Sequence, residues 1–363
     1  MEVAIVHDYF TQRGGAERVA IVMARAFPDA VVHTSVVDVA GTFPDAPFER
    51  MRPSPLNHLG PLRTRHRALL PLLAPVFSSM VVDAPVVVCS SSGWAHGVRA
   101  TGRKLVYCHN PARWLYQTTD YVRGHRLQAL ALRSLAPSLR RWDRKAAASA
   151  DLYVANSTVV ARRIEAAYGR HAEVLFPPVS LDASAPQESL GLECGFLLCV
   201  SRLMPYKNLD AAIEGVAGSG RRLVVVGDGP ERARLAALAR GRADVAILHR
   251  VSDAQLRWLY QHCAAVLAPS IEDYGLTPLE AAGFGQPTLA LRRAGYLDTV
   301  REGVTGLFFD RPTQEHVRRA VRELPRHRFD AGVLRAHAAR FGEGPFVRRL
   351  QGLVSSLAAG ERD

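Results

Sequence analysis

Two glutamates stand eight positions apart in the stretch EDYGLTPLEAAGFGQP, residues 272–287. Glu272 opens the stretch, and Glu280 follows a glycine, a threonine and a proline. Each carboxylate could accept charge-assisted hydrogen bonds from O–H donors. A purely structural alternative is a helix capping box, with Thr277 as the N-cap, Pro278 as the first helical residue and Glu280 bonded back to the cap amide.

A pair of cations lies in the segment SRLMPYKN, residues 201–208, directly after the apolar run FLLCV. Arg202 and Lys207 would stand on a loop between a strand and a helix, with Asn208 as the helix N-cap. A guanidinium and an ammonium in this position suit a diphosphate, because one offers a fork of hydrogen bonds and the other a point charge. Two solvated surface cations are the alternative interpretation.

Three weaker candidates also follow apolar runs. Gly14 and Gly15, in HDYFTQRGGAER, would let the backbone approach a ligand at the start of a helix, although a tight turn explains them equally well. His109, in YCHNPARW, ends another strand, and a structural histidine is its alternative. The GDGP turn at 227–230 closes the run RLVVV and requires no function.

The elements that must position these residues follow from an alternation of short β-branched runs with Ala/Leu/Arg-rich amphipathic stretches. This alternation predicts an α/β fold in which helices cover both faces of parallel sheets. Helices are predicted at 231–240 and 253–262, among others. The predicted strands are 2–6, 86–90, 104–108, 151–155, 195–200, 222–226, 264–268 and 288–291.

The segment 173–187, EVLFPPVSLDASAPQ, interrupts this alternation with a short strand, two prolines and a Ser/Ala/Pro stretch. Such a composition is typical of a hinge or an interdomain linker. We therefore predict two Rossmann-like domains, residues 1–177 and 178–344. Because ligands of open α/β sheets bind at the carboxyl ends of the strands, two such domains facing each other would enclose a cleft.

Composition narrows the class of protein. With 48% apolar and 22% charged residues, the chain is of the globular type. Its net charge of +12 suggests an anionic partner, for which nucleic acid, anionic lipid and nucleotide phosphates all qualify. No apolar run is long enough to span a bilayer and no signal peptide is evident, so a cytoplasmic location is expected, with reduced cysteines. The basic stretch 123–145 would be a surface helix or a peripheral contact at the inner membrane face.

Taken in order, these motifs resemble the retaining glycosyltransferases of family 4, and the resemblance covers essentially the whole chain. Its most specific element is similar to the Glu-x7-Glu motif of that family, with Glu272 and Glu280 as the two acids. The segments SRLMPYKN, GDGP and EGVTGLFF fit the same family. VHDYFTQRGGAERV, VVVCSSSGWAHGV and YCHNPARWLY resemble its mannosyltransferase-like branch of polysaccharide and O-antigen assembly. The resemblance implies the two-domain GT-B fold, in which a C-terminal helix at 345–363 packs back on the first domain.

The resemblance also implies roles for individual residues. Glu272 would face the hexose hydroxyls and Glu280 the nucleotide ribose, while His109 would position the sugar's 6-hydroxyl. The loop Arg250-Val251-Ser252 would hold the base. The implied catalytic set is His109, Arg202, Lys207 and Glu272. The implied donor-binding set is Gly14, Gly15, Arg202, Lys207, Gly227, Arg250, Val251, Glu272, Tyr274, Gly275, Leu276, Thr277 and Glu280.

The expected reaction is transfer of a hexose from a nucleotide diphosphate sugar to a saccharide, lipid-linked or small-molecule acceptor, with retention of configuration. GDP-mannose is the first candidate donor, and UDP-sugars or other GDP-sugars remain open. No cofactor and no metal are expected, because the GT-B fold generally works without one and no two aspartates are spaced as D-x-D.

Three alternatives remain. The first is an epimerase acting on sugar nucleotides with the same fold, and the second is a catalytically silent nucleotide-binding module. The third is a nucleic-acid-binding protein, which the net charge alone suggests and which the scattered aromatic residues disfavour.

Overall fold

The computed structural model describes residues 2–58, 70–117, 126–179 and 181–360. The chain divides into two compact units. The first unit comprises Met1–Pro178 together with Glu343–Asp363, and the second comprises Val179–Gly342. Each unit is an α/β structure with parallel strand pairing, so the predicted fold class is confirmed for both halves of the chain.

The main sheet of the first unit has seven parallel strands within the described residues, in the order β3-β2-β1-β5-β7-β8-β9. Two further strands, β4 and β6, pair with each other in a separate small sheet. The bounds are β1 Val3–His7, β2 Val31–Thr34, β3 Met51–Pro53, β4 Val81–Val82, β5 Val86–Ser91, β6 Arg99–Ala100, β7 Arg103–Cys108, β8 Leu152–Ala155 and β9 Glu173–Val174.

Apolar side chains cover both faces of this sheet, which is why β1 and β5 are apolar along most of their length, with polar residues only at their ends, and why all their residues are buried. The C-terminal helix Glu343–Ala359 buries Phe346 and Leu350 in the same cluster as the first helix of the chain. The helices of this unit are Gly15–Ala26, Leu70–Ser79, Arg113–Tyr116, Arg126–Ala148, Thr158–Tyr168 and Glu343–Ala359.

The second unit has a sheet of six parallel strands within the described residues, in the order β12-β11-β10-β13-β14-β15. The strands are β10 Leu197–Val200, β11 Leu223–Val226, β12 Val245–Leu248, β13 Ala265–Ala268, β14 Thr288–Leu291 and β15 Gly306–Phe309. The helices are Leu209–Gly215, Arg232–Leu238, Asp253–His262, Leu276–Gly283, Tyr296–Thr299, Gln314–Glu323 and Ala331–Ala339. Apolar clusters on the two faces of this sheet form its core.

All eight predicted strands are present, with ends that differ from the prediction by no more than two residues. The sequence pattern did not predict β2, β3, β4, β6, β12 and β15, which are two to four residues long. β15 also begins with a glycine, Gly306, which carries no strand signal. The helix predicted at 253–262 has those bounds, whereas the one at 231–240 is shorter, Arg232–Leu238.

The basic stretch 123–145 lies mainly on the long helix Arg126–Ala148, and its residues 123–125 lie outside the described residues. No helix in the described part of the chain combines the length and the apolar character needed to cross a membrane. The five cysteines are free thiols, and all but Cys194 are buried.

Candidate active site

In the second unit, the loops that follow the six parallel strands leave the same edge of the sheet, the edge at which the strands end. The loop after β10 carries Arg202 and Lys207, and the loop after β13 carries Glu272. β10 and β13 are neighbours in the sheet. Two residues that lie 65 positions apart in the sequence are therefore brought side by side.

Lys207 and Glu272 form an ion pair in which the Lys207 ammonium donates to Glu272 Oε1. The Ser270 hydroxyl donates to the same oxygen over 2.7 Å and is itself hydrogen-bonded to the Tyr296 hydroxyl at 2.8 Å. The Lys207 side chain is 9% exposed and that of Glu272 is 26% exposed. Among the described residues, both donors to the Glu272 carboxylate reach its Oε1 and none reaches its Oε2.

Arg202 stands at the surface beside this pair, and its guanidinium makes a long contact of 3.4 Å with the Tyr206 hydroxyl. The glycines of the GDGP turn shape the loop that carries it. A Cβ on Gly227 would lie 1.9 Å from the Ser201 carbonyl oxygen, and a Cβ on Gly229 would lie 2.4 Å from that of Leu203. The two loops pack backbone against backbone, so the turn has a structural role in holding Arg202.

Asn208 begins the helix Leu209–Gly215, as predicted, but its side chain does not cap that helix. Its backbone is left-handed, with φ of 52°, and its amide nitrogen donates to the Pro269 carbonyl over 3.0 Å. This hydrogen bond ties the loop after β10 to the end of β13.

The capping box considered at Thr277 as the structural alternative does not form. The helix Leu276–Gly283 begins earlier, with Gly275 as its N-cap and no side-chain capping bond. Packing sets this start: a Cβ on Gly275 would lie 2.5 Å from Thr299 Oγ1, so the backbone is held tightly against the helix Tyr296–Thr299. The amides of Gly275, Leu276 and Thr277 therefore form the helix N-terminus, where backbone donors lack intrahelical partners.

Glu280 is held from another helix rather than by its own N-cap. The buried Tyr260 hydroxyl donates to Glu280 Oε2 over 2.6 Å. Burial raises the pKa of Glu280, and this hydrogen bond partly opposes the rise. Tyr274, on the preceding loop, is buried, and burial raises the pKa of its phenol as well.

The loop Arg250-Val251-Ser252 follows β12 at the same edge. Arg250 is exposed and has a left-handed backbone, with φ of 56°. Ser252 caps the helix Asp253–His262 in a reciprocal capping box with Gln255. Because Tyr260 belongs to that helix, the cap also fixes the position of the group that holds Glu280.

In the first unit, the corresponding edge brings together His7, Ser90 and His109. The Ser90 hydroxyl lies 2.8 Å from His109 Nε2 and 3.0 Å from His7 Nδ1. Burial lowers the pKa of His7 to about 4 and that of His109 to about 3. Both imidazoles are therefore neutral at neutral pH. The sequence analysis identified His109 but missed its two partners.

Gly14 is the N-cap of the helix Gly15–Ala26, and Gly15 is exposed at its first position. The reason for glycine at position 14 is local, because a Cβ there would lie 2.4 Å from Oε2 of Glu17. Glu17 is buried in the first helical turn. Burial raises its pKa to about 7, against the effect of hydrogen bonds from its own amide, from Gln12 and from the Gly14 backbone.

Asp8 is a second buried acid that the sequence analysis missed. Its Oδ1 accepts from the Ala95 amide and its Oδ2 from the Ser92 amide, both over 2.6 Å. Burial raises its pKa to about 6 in spite of these bonds. Asp8 therefore fixes the loop after β5 to the end of β1. Its place directly after an apolar strand was the available signal.

A cavity of about 430 Å³ in the first unit lies away from these residues. Lys104, Trp142 and Lys145 are among the residues that line it. Lys104 stands near the start of β7 whereas His109 follows its end, so the cavity lies at the opposite edge of the sheet. The Lys104 ammonium already donates to two backbone carbonyls and a serine hydroxyl, which indicates a structural role.

Within the described ranges, no three or more histidine, cysteine, aspartate or glutamate side chains are arranged to hold a metal ion. The potential ligand-binding groups of the second unit are instead a cation pair, two carboxylates and a helix N-terminus. Such a set suits a ligand that combines phosphates with hydroxyl groups.

Two families match consecutive parts of the chain. Glycosyltransferase Family 4 matches residues 13–183, and Glycosyl transferases group 1 matches residues 185–340. The chain therefore belongs to the glycosyltransferases, as a family 4 protein, which confirms the resemblance of its motifs.

Curated relatives share about a third of their residues with the matched part of the chain. A GDP-mannose-dependent alpha-(1-6)-phosphatidylinositol monomannoside mannosyltransferase from Mycolicibacterium smegmatis is 30% identical, over 57% of this chain and 62% of its own length. A D-inositol 3-phosphate glycosyltransferase from Nocardia farcinica is 31% identical, over 46% of this chain and 43% of its own length. The chain thus spans less than two thirds of the length of these relatives.

Solved structures match nearly the whole chain. HepE from Anabaena, in complex with UDP, gives a TM-score of 0.70 at 18% identity, over 98% of this chain and 100% of that one. Sucrose-phosphate synthase from Thermosynechococcus elongatus gives 0.72 at 17% identity, over 99% and 100%. At these identities the likeness shows the fold, which is GT-B.

Proposed function

We propose that the protein transfers a hexose from a nucleotide diphosphate sugar to a hydroxyl-bearing acceptor, with retention of the anomeric configuration. The observation that carries this proposal is the Lys207–Glu272 pair, which places a cation and a carboxylate together where the strands of a parallel sheet end. The ammonium suits the diphosphate and the carboxylate suits the sugar hydroxyls. Membership of the glycosyltransferases supports the same chemistry.

Lys207 and Arg202 would bind the diphosphate, together with the N-terminus of the helix Leu276–Gly283. Negative charge grows on the diphosphate as it leaves the sugar, so donors already in place stabilise the transition state more than the ground state. A hydrogen bond to a charged group contributes about 1.5–3 kcal/mol. Glu272 holds the Lys207 ammonium in position before the donor binds, which reduces the ordering cost of binding.

Glu272 Oε2 would accept hydrogen bonds from the hexose hydroxyls, and Glu280 would accept from the ribose. The Tyr260 hydroxyl fixes one oxygen of Glu280, so that the carboxylate has a defined direction. The loop Arg250-Val251-Ser252 would hold the base. Gly227 and Tyr274 would complete the donor site through the loops to which they belong.

In the first unit, His109 would position the sugar's 6-hydroxyl. Gly15 would offer its amide to the diphosphate or the acceptor from the first position of its helix. Gly14 contributes less directly, because its backbone already bonds the Glu17 carboxyl.

We propose GDP-mannose as the donor and metal-independent transfer. Two curated relatives support mannose by name: the mycobacterial enzyme and an alpha-1,3/1,6-mannosyltransferase from Dictyostelium discoideum. UDP-sugars are the second choice, because HepE was solved with UDP and with UDP-glucose. The proposed acceptor is a saccharide, lipid-linked or small-molecule compound, and the positive charge of the chain favours an anionic, lipid-linked one.

A product assay tests this function. The protein is incubated with GDP-mannose or a UDP-hexose and a mixture of acceptors, with and without EDTA, and both the nucleotide and the sugar products are identified. We expect release of a nucleoside diphosphate, an α-linked product and a rate that EDTA does not change. An epimerised nucleotide sugar without transfer would favour the epimerase. Nucleotide binding without any turnover would favour the silent module.

A further inference from the structure

The hydrogen-bonded group in the first unit crosses three neighbouring strands. His7 ends β1, Ser90 lies in β5, and His109 directly follows β7, in a sheet where these strands are adjacent. The side chains of His7 and Ser90 are almost wholly buried. We call these three hydrogen-bonded side chains the relay. His109 is partly exposed, so it is the member of the relay that a ligand could reach.

The contacts of His7 define which way the hydrogen bonds point. His7 Nδ1 lies 3.1 Å from the Ser90 carbonyl oxygen and 3.0 Å from the Ser90 hydroxyl. A carbonyl oxygen can only accept, so Nδ1 must carry the proton of the neutral ring.

The proton on His7 Nδ1 then determines which atom donates and which accepts in the next hydrogen bond of the relay. The Ser90 oxygen accepts from His7 Nδ1, and its single proton is therefore free to be donated over 2.8 Å to His109 Nε2. An Nε2 that accepts cannot carry the proton of a neutral imidazole, so that proton must be on Nδ1. Among the described residues, no partner reaches His109 Nδ1.

We propose that His7 and Ser90 are positioning residues that hold His109 in the neutral tautomer with its proton on Nδ1. His109 then offers a fixed N–H donor, and the class of ligand atom it suits is a neutral hydroxyl oxygen. The assignment of this donor to a hydroxyl of the sugar substrate rests on the proposed function. The tautomer itself follows from the hydrogen bonds alone.

Two observations agree with this arrangement. Burial lowers the pKa values of both histidines well below neutrality, so neither ring gains a second proton near neutral pH. Neighbouring rings also fix the imidazoles: Phe10 lies 4.7 Å from His7, and Tyr107 lies 5.2 Å from His109, between ring centroids. The relay is therefore rigid as well as polarised.

Nitrogen NMR of the imidazole rings tests the tautomer in the absence of any substrate. In the 15N-labelled wild-type protein, we expect the His109 signals of a neutral ring protonated at Nδ1. The assignment is made by loss of those signals in His109→Gln. A wild-type ring protonated at Nε2 would overturn the proposal, since Ser90 would then accept from His109. This outcome requires no folded variant of Ser90.

The Ser90→Ala variant tests the cause. We expect its His109 to shift toward the Nε2-protonated tautomer, whereas the matched variant Ser92→Ala, which removes a hydroxyl outside the relay, should keep the wild-type spectrum. An unchanged His109 spectrum in a folded Ser90→Ala protein would contradict the role of Ser90. In the transfer assay, we expect Ser90→Ala to lower kcat about tenfold with KM within about twofold. If the tautomer is as proposed but no transfer occurs, the proposed function fails and the relay stands.

Discussion

The carboxyl edges of the two sheets carry opposite kinds of polar chemistry on similar backbones. In the second unit the edge holds a lysine–glutamate ion pair beside an exposed arginine. In the first unit it holds two histidines that burial keeps neutral, joined through a serine hydroxyl. Parallel strands bring polar residues to one edge in both cases, and the partner differs: Lys207, although only 9% exposed, is paired with a carboxylate, whereas the two imidazoles meet a neutral hydroxyl.

The two edges therefore suit different chemical tasks. A charged edge can stabilise a leaving diphosphate, while a neutral hydrogen-bonded edge can orient hydroxyl groups without attracting anions. The buried acid Glu17 extends the pattern in the first unit, because burial raises its pKa to about 7. The predictions below test the contrast between the charged edge and the neutral one.

The largest effect is expected at the charged edge. Lys207→Ala should lower kcat/KM about 100-fold, because it removes a charged donor to the diphosphate and leaves Glu272 without its cation. Steady-state kinetics would measure this, with circular dichroism to show an intact fold. The matched control is Lys145→Ala, an exposed lysine of the first unit, which should leave kcat/KM unchanged. Activity within about threefold of wild type in a folded Lys207→Ala protein would break the diphosphate assignment.

The loop that carries Arg202 should depend on the glycine beneath it. Gly227→Ala should lower the free energy of unfolding by about 3 kcal/mol, because the new Cβ would overlap the Ser201 carbonyl and the backbone φ is positive. Gly218→Ala is the control: its φ is also positive, but nothing lies within 4 Å, so a cost of only about 1 kcal/mol is expected. Urea unfolding would compare them. Equal costs would mean that the close approach of the two loops is not required.

At the neutral edge, replacing Glu17 by glutamine should stabilise the protein by an amount that depends on pH. The pKa of Glu17 is about 7 in the folded protein against 4.5 when unperturbed, so the folded state binds more protons between these values. The wild type therefore loses stability as pH rises from 4.5 to 7. Glu17→Gln cannot ionise, and should be more stable than wild type by about 2–3 kcal/mol at pH 8 and about equally stable at pH 4.

Urea unfolding at several pH values would measure this difference. Glu315→Gln is the control, since it replaces an exposed acid in the first turn of another helix and should show little pH-dependent change. A Glu17→Gln protein whose stability relative to wild type does not vary with pH would show that Glu17 is charged in the folded state at neutral pH.

The smallest effect is expected from a single buried phenol. Tyr260→Phe removes the hydrogen bond to Glu280 and should weaken nucleotide binding about fivefold, or about 1 kcal/mol. Tyr107→Phe is the control from the other unit: it also removes a buried phenolic hydrogen bond, to the Leu175 carbonyl, but should leave nucleotide affinity unchanged. Isothermal titration would compare the two. Equal losses of affinity would mean that Glu280 gains nothing from being fixed.

The sequence predicted the charged edge better than the neutral one, for a physical reason. Lys207 and Glu272 lie in distinct motifs, each with a recognisable loop between a strand and a helix. The partners of His109 lie in the segments VHDYFTQRGGAERV and VVVCSSSGWAHGV, but nothing in either segment singles them out, because His7 and Ser90 meet only through the order of strands in the sheet. Polar residues at the ends of successive apolar runs were the available signal, but strand order was not.

Local sequence patterns did not predict the capping of two helices, because tertiary contacts determine how those helices begin. The segment TPLE has the composition of a capping box, yet the contact of Gly275 with the helix Tyr296–Thr299 starts the helix earlier and leaves Glu280 to Tyr260. Asn208 shows the same effect, since it occupies the predicted N-cap position but its side chain bonds the Pro269 carbonyl. Propensity located these elements, and distant contacts decided their ends.

The central claim is that the charged edge binds a nucleotide diphosphate sugar, and thermal unfolding tests it most directly. The melting temperatures of the wild type and Lys207→Ala would be measured without metal against GDP, UDP, ADP, dTDP and their sugars. Any ligand that binds only the folded state raises the melting temperature. We predict a rise with GDP, a larger rise with GDP-mannose, and little or none in Lys207→Ala. The account would be contradicted if none of these ligands raised the melting temperature of the folded wild type, or if they raised it equally in both proteins.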